Sequence, residues 1–259
     1  MSEFATTAPY YAAYRPGIPA EAVALLTETV AGKQHRALLD LGSGTGQVPL
    51  ALQQAVTEID VVERDAGMLA EAGKALAGLP VTVRLHNAAA ELFSPPSGWQ
   101  ADLVTICRAF HWMDQPAVLS LLEGCTAPDA IVVVMGDGSL WTARSVWTDA
   151  LRALIQEYTG PERRAGKDKT YSAHGRPYRE ILAESAFSRV EEHTIPVERP
   201  WTTDQVIGYL YSTSFAARSL FGDHVEEFER RARALLDEHA GASGLVENAV
   251  FSVLLARRS

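Results

Sequence analysis

The feature that most constrains this chain is Leu38-Leu39-Asp40-Leu41-Gly42-Ser43-Gly44-Thr45-Gly46, an apolar run that ends in alternating glycines. Leu38 to Leu41 is the end of a short apolar run beginning at Ala37, too short for a helix, and reads as a strand. Residues 47–56 read as a helix with Pro49 tolerated in its first turn. Glycines between a strand and a helix permit a tight turn and let a ligand approach the backbone closely. Glu63 follows about 20 residues after the turn, at the tip of the next strand, where an acid accepts hydrogen bonds from ribose hydroxyls. Turn and acid together point to a nucleoside-containing cofactor. A dinucleotide fingerprint needs G-x-G-x-x-G, which presents a helix N-terminus to pyrophosphate. Here the third glycine comes one residue early, Asp40 precedes the turn, and no phosphate loop with G-K-[ST] occurs. A carboxylate beside the turn suits a cationic ligand better than a pyrophosphate.

The rest of the first half repeats the same alternation. Strands are predicted at 59–63, 81–85, 101–106 and 131–135, and helices at 21–30, 67–76 and from Asp114 through Leu122. This is the pattern of an α/β protein with a parallel sheet. After Gly138 the character changes. Helices are expected at 145–158, 178–185 and 225–238 and strands at 190–197 and 246–255, with a charged surface loop at 160–169. The 259 residues suffice for a full core without staples, and Cys107 and Cys125 are too few for a disulfide framework or a cysteine-based zinc site. A balance of 23 Lys and Arg against 32 Asp and Glu gives a net charge of -9, the wrong sign for tracking nucleic-acid phosphates or an anionic membrane surface. No apolar run is long enough for a membrane span, and the opening residues lack a signal peptide's basic and apolar regions. A cytoplasmic protein, monomer or homodimer, with no nucleic-acid or membrane partner is expected.

With these motifs the sequence resembles the class I S-adenosylmethionine-dependent methyltransferases. Asp40-Leu41-Gly42-Ser43-Gly44-Thr45-Gly46 is similar to their first motif, Val62-Glu63-Arg64-Asp65-Ala66-Gly67-Met68-Leu69 to their second, and Ala101-Asp102-Leu103-Val104 to the fourth-strand motif. Tyr11-Ala12-Ala13-Tyr14-Arg15-Pro16-Gly17 and Ala109-Phe110-His111-Trp112-Met113-Asp114 resemble the small-molecule branch around trans-aconitate-type methyltransferases. The likeness covers residues 10–137 and is loose beyond, apart from Tyr209-Leu210-Tyr211-Ser212-Thr213-Ser214.

The resemblance implies a Rossmann-like, mainly parallel seven-stranded sheet with helices on both faces and a helical cap inserted in the second half. Residues 1–137 would be the cofactor-binding core with an N-terminal lid, 138–225 the cap, and 226–259 a helix and strand completing the sheet. S-adenosylmethionine would be the cofactor and S-adenosylhomocysteine its product. Glu63 would hold the ribose and Met68 pack on the adenine, with Arg64, Ala88 and Ala89 beside them. Asp40, Gly42, Gly44 and Gly46 would surround the methionine portion, and the Arg108 backbone would face its amino group. Tyr11, Tyr14 and Arg15 would close over the cofactor. Two departures stand out: Asn87-Ala88-Ala89-Ala90-Glu91 replaces the acid that often contacts the adenine amine, and Pro128-Asp129-Ala130 replaces Pro-Gly-Gly.

Methyl transfer from a sulfonium is an in-line displacement that needs alignment and desolvation. It needs a base only if the acceptor must lose a proton. No triad or metal is therefore required, and no metal is expected. His111 is the candidate base, but the resemblance favours a structural or cofactor-pocket histidine, because His-Trp is part of a packing motif in that branch. Trp112, Trp141, His174, Tyr211 and Ser214 are the candidate acceptor contacts, for a small molecule methylated at O or N, as in secondary metabolism. Two other readings stay open: a relative that binds the cofactor without methylating, such as a cyclase, and a nonenzymatic binding subunit.

Overall fold

The buried run Ala37–Leu41 forms β1, fully enclosed because a parallel strand is covered by helices on both faces. In the computed structural model, which describes residues 7–164, 176–241 and 244–259, six further strands join it. They are β2 (Glu58–Val62), β3 (Thr82–His86), β4 (Ala101–Cys107), β5 (Thr126–Gly136), β6 (Arg189–Trp201) and β7 (Leu245–Arg257). The sheet order is β3-β2-β1-β4-β5-β7-β6. β1 to β5 are parallel, and β7 runs antiparallel to β5, with Ile131 opposite Arg257 and Gly136 opposite Ser252. This is the fold expected from the sequence. Strand order reverses between β1 and β4, the place where open α/β sheets bind ligands, at the carboxyl ends of the strands.

The helices follow from local chemistry. α1 covers Ala8–Tyr14, α2 Ala20–Val30, α3 Gln47–Leu52, α4 Ala66–Ala75 and α5 Gln115–Cys125. α6 covers Val146–Thr159, α7 Tyr178–Ala183, α8 Thr203–Tyr211 and α9 Val225–Ala240. Asp65 caps α4 by accepting from the Met68 N–H at 2.9 Å, and Asp114 caps α5 through Ala117 at 3.1 Å. α6 and α8 open with reciprocal capping boxes, Ser145 with Thr148 and Thr202 with Gln205. α3 stops at Leu52, short of the predicted 56, while β5 and β7 run longer than expected. α1 and α8 are helices the sequence analysis did not assign.

The chain divides into two compact units. One comprises Gly17–Asp137, His174–Ile195 and Phe251–Ser259, and its core contains Leu39, Leu41, Val104, Ile106, Phe110, Val132 and Phe187. The other comprises Met1–Pro16, Gly138–Ala173 and Pro196–Val250, and its core contains Trp147, Leu154, Trp201, Leu210, Tyr211, Phe215 and Phe228. The first 16 residues group with the inserted segment because Tyr14 packs on Gly208 so closely that a Cβ there would lie 2.3 Å from its ring. Arg15 adds a hydrogen bond from its Nε to Ser212 Oγ at 2.9 Å. α9, expected to complete the sheet region, also belongs to this unit, where Phe228, Ala232 and Leu236 are buried.

Candidate functional site

At the end of β1 the chain turns through Gly42, Gly44 and Gly46, with φ of 67°, 56° and 80°. These left-handed values favour glycine, which explains the alternating pattern. The Gly42 and Ser43 N–H groups donate to Val62 O at 2.9 and 3.2 Å, tying the turn to the end of β2. A Cβ at Gly42 would lie 2.6 Å from Ala109 Cβ and 3.0 Å from Met113 Cε, so the segment after β4 lies directly against the turn.

Glu63 is the staple of this turn. Its Oε2 accepts the Gly44 N–H at 2.9 Å and its Oε1 the Asp65 N–H at 2.8 Å. Each carboxylate oxygen has two lone pairs, so acceptor capacity remains for ligand hydroxyls. Burial is the main cause that raises the Glu63 carboxyl above the ordinary glutamate range, and the backbone N–H groups of Asp65, Gly44 and Arg64 pull it back. Asn87 supports the neighbouring backbone by donating its Nδ2 to Glu63 O at 2.9 Å and Arg64 O at 3.1 Å.

Asp40 differs from Glu63 in what it lacks. It is 1% exposed, its Oδ1 accepts the Thr105 hydroxyl at 2.5 Å, and its Oδ2 has no hydrogen-bond partner in the structure. Burial pushes its carboxyl up to about 7, opposed by the Thr105 hydrogen bond and reinforced by the nearby charge of Glu63. An unfilled acceptor on a buried carboxylate beside a glycine turn is a place for a cation.

β4 ends in Cys107, and Arg108 follows with a φ of 55°, the left-handed residue other than glycine among those described. Such a conformation costs about 1–3 kcal/mol unless its surroundings hold it. Its N–H donates to Met135 O at 2.9 Å and its Nε to Asp137 Oδ1 at 2.6 Å. Next come Phe110–Trp112, a single turn of 3-10 helix that carries His111 half-buried and Trp112 44% exposed. Their ring centroids lie 4.9 Å apart.

The structure thus brings Asp40, Gly42, Gly44, Gly46, Glu63 and Arg108 to the carboxyl ends of β1, β2 and β4. Met68 is buried in α4 while Arg64 is exposed, and Ala88 and Ala89 are half-buried between β3 and a short 3-10 turn. Tyr11, Tyr14, Arg15, Trp141, Tyr211 and Ser214 belong to the other unit. There the Arg15 guanidinium stands 4.8 Å from the Tyr11 ring and 4.7 Å from that of Tyr209. Trp141 packs on Phe215 at 5.3 Å, and Tyr211 donates its hydroxyl to Glu229 at 2.9 Å. His174 lies outside the described residues. Thr105 and Asn87 were not picked out as site residues. For Thr105 the available signal was a lone hydroxyl in the apolar run Leu103-Val104-Thr105-Ile106.

Comparison with known proteins agrees with this geometry. Residues 38–128 match the family model of a methyltransferase domain. A proposed type II methyltransferase from Anaeromyxobacter dehalogenans shares 21% identity and a TM-score of 0.59, over 95% of this chain and 98% of that one. A proposed methyltransferase from Bacillus halodurans shares 15% identity and a TM-score of 0.52, over 92% and 98% of the two chains. Precorrin 8w decarboxylase from Methanobacterium thermoautotrophicum has the same fold at 13% identity and a TM-score of 0.52, over 94% and 93%. No curated protein matches the chain. At these identities the solved structures speak for the fold, and that fold also serves a protein described as a decarboxylase.

Proposed function

We propose that this chain is a class I S-adenosylmethionine-dependent methyltransferase that methylates an oxygen or nitrogen of a small molecule, a reading supported by the methyltransferase-domain match at residues 38–128. The observation that carries the reading is the pair of buried carboxylates flanking the glycine turn. Asp40 keeps one oxygen open and Glu63 keeps spare lone pairs. This set fits S-adenosylmethionine, whose ammonium would meet Asp40 and the Arg108 backbone and whose ribose hydroxyls would meet Glu63. Gly44 would present no side chain where the amino-acid portion passes, and Gly42 leaves room for Ala109 and Met113 to lie against the turn. Met68 and the 88–89 backbone would border the adenine.

When bound, the cofactor supplies an electrophilic methyl group on a sulfonium. The protein's contribution is alignment and exclusion of water, which accelerate a displacement without a dedicated acid or base. His111 would accept the proton if the acceptor is a hydroxyl or an ammonium. The acceptor contacts assigned to Trp112, Trp141, His174, Tyr211 and Ser214, a role in secondary metabolism, a cytoplasmic location and a monomeric or homodimeric state belong to the same proposal. No helix among the described residues is long and apolar enough to cross a membrane.

The test is turnover. With labelled cofactor and a panel of small metabolites, the label should appear in the acceptor as S-adenosylhomocysteine accumulates. Cofactor binding without any transfer across the panel would favour a non-methylating role. Once an acceptor is found, His111→Ala should lower kcat by about 10²- to 10⁴-fold if His111 is the base. Activity largely kept in His111→Phe would make it a packing residue.

A further inference from the structure

We propose that Asp137 is a positioning residue for the glycine turn: paired with Arg108, it holds the bend after β4 that lays Ala109 against Gly42. This rests on the reading of that turn as the cofactor site. It adds a function for the Arg108 side chain and for a residue at the end of β5 that the cofactor motifs do not include.

A residue other than glycine keeps a left-handed backbone only where its surroundings over-determine it. Around Arg108 four restraints converge. Its N–H donates to Met135 O at 2.9 Å, and its Nε donates to Asp137 Oδ1 at 2.6 Å. That ion pair is mostly withdrawn from water, with side chains 13% and 3% exposed. The Arg108 Cγ lies 3.1 Å from where a Cβ at Gly136 would stand, so the absent side chain makes room for it. The guanidinium carbon is 5.6 Å from the centre of the Phe251 ring.

The bend has a direct consequence one residue later. Ala109 and Met113 fill the space that a side chain at Gly42 would need. A return of Arg108 to an ordinary negative φ would redirect the chain at Ala109 and withdraw it from the turn. Without Asp137, a mostly buried guanidinium loses this counter-charge and the Nε anchor that orients it, which loosens the hold on the strained backbone. Asp137 therefore acts on the cofactor cradle through Arg108.

The experiment is a calorimetric titration of S-adenosylhomocysteine into wild type, Asp137→Asn, Asp137→Ala, Arg108→Gly and the double variant Asp137→Ala with Arg108→Gly. Asp137→Ala should weaken binding about tenfold, the scale of one strained backbone position, and Asp137→Asn less. The double variant should return to within about threefold of wild type, because glycine takes a φ near 55° without a clamp. A residue that merely stabilises the fold would give no such rescue, since the double variant has lost the ion pair entirely. Wild-type affinity in Asp137→Ala, or a double variant as weak as Asp137→Ala, would overturn the proposal. Failure of wild type itself to bind would instead overturn the cofactor reading, and this proposal with it.

Discussion

The parallel sheet carries acidic residues at the amino ends of its strands and at the carboxyl ends of β1 and β2, and the two groups are treated in opposite ways. At the amino ends, His35 bridges Glu58 at 2.8 Å and Asp102 at 3.1 Å, and Lys33 adds contacts to Asp102 at 3.6 Å and Asp129 at 2.9 Å. Asp102 also accepts the Ala37 N–H at 3.0 Å, and Trp99 donates its indole N–H to Glu58 at 3.1 Å. Here the acids meet cations or donors, and the network links β1, β2, β4 and β5. At the carboxyl ends, Asp40 and Glu63 meet only hydroxyl and backbone N–H donors, and burial raises both carboxyls. Compensated charge ties strands together, whereas uncompensated buried charge costs stability and is retained where a ligand can complete it.

The sharpest way to break this contrast is Gly44→Val. Gly44 has a φ of 56° and donates its N–H to Glu63, so a β-branched residue strains the turn and disturbs the staple together. Affinity for S-adenosylhomocysteine should fall about 100-fold or more. Unchanged affinity would remove this turn from the site. Glu63→Ala comes next, with binding weakened at least about tenfold. Fold stability should fall as well, because the Gly44 and Asp65 N–H groups lose their acceptor, at about 1–3 kcal/mol for each that stays unsatisfied. Chemical denaturation beside calorimetry would separate the two effects.

Asp40→Asn should have a smaller effect on affinity, about fivefold near pH 7, and a larger one on pH dependence. The folded Asp40 titrates at about 7, well above its ordinary 3.8. Its contribution to stability without ligand is therefore full below about pH 4 and is lost as pH rises through 7. A cation bound beside it favours the ionised form, so cofactor affinity should rise between pH 6 and 7.5 as a proton is released. Calorimetry in buffers of different ionisation heat would detect that proton, and Asp40→Asn should abolish the release. The smallest effect belongs to the other end of the sheet. His35→Ala breaks a pairing whose imidazole is 61% exposed, so stability should drop by about 1 kcal/mol or less and cofactor affinity should not change. A loss of affinity there would mean that the two ends are coupled.

The core was readable because its signals are local. A glycine turn closing a five-residue apolar strand, and an acid at the next strand's tip, lie within one stretch of chain. What stayed hidden depends on distance along the chain. Thr105 reaches Asp40 across 65 positions, and Arg15 reaches Ser212 across 197. α8 escaped notice because Val206 to Tyr211 are all buried, so the helix has no polar face on that stretch to mark its period. α1 is only seven residues long, with Pro9 in its first turn, and its place follows from the Tyr14 ring fitting on Gly208. The acceptor contacts share this difficulty: aromatics such as Trp141 and Tyr211 serve as core in one unit, and their types alone do not distinguish packing from recognition.

The early third glycine and the open Asp40 carboxylate select a nucleoside carrying an amino-acid ammonium over a dinucleotide. Titrating the wild-type protein with S-adenosylhomocysteine and, separately, with NAD tests this selection most directly. Saturable one-site binding of S-adenosylhomocysteine, with release of a proton near pH 7, and no heat from NAD are the expected results. Binding of NAD with none of S-adenosylhomocysteine would contradict this selection.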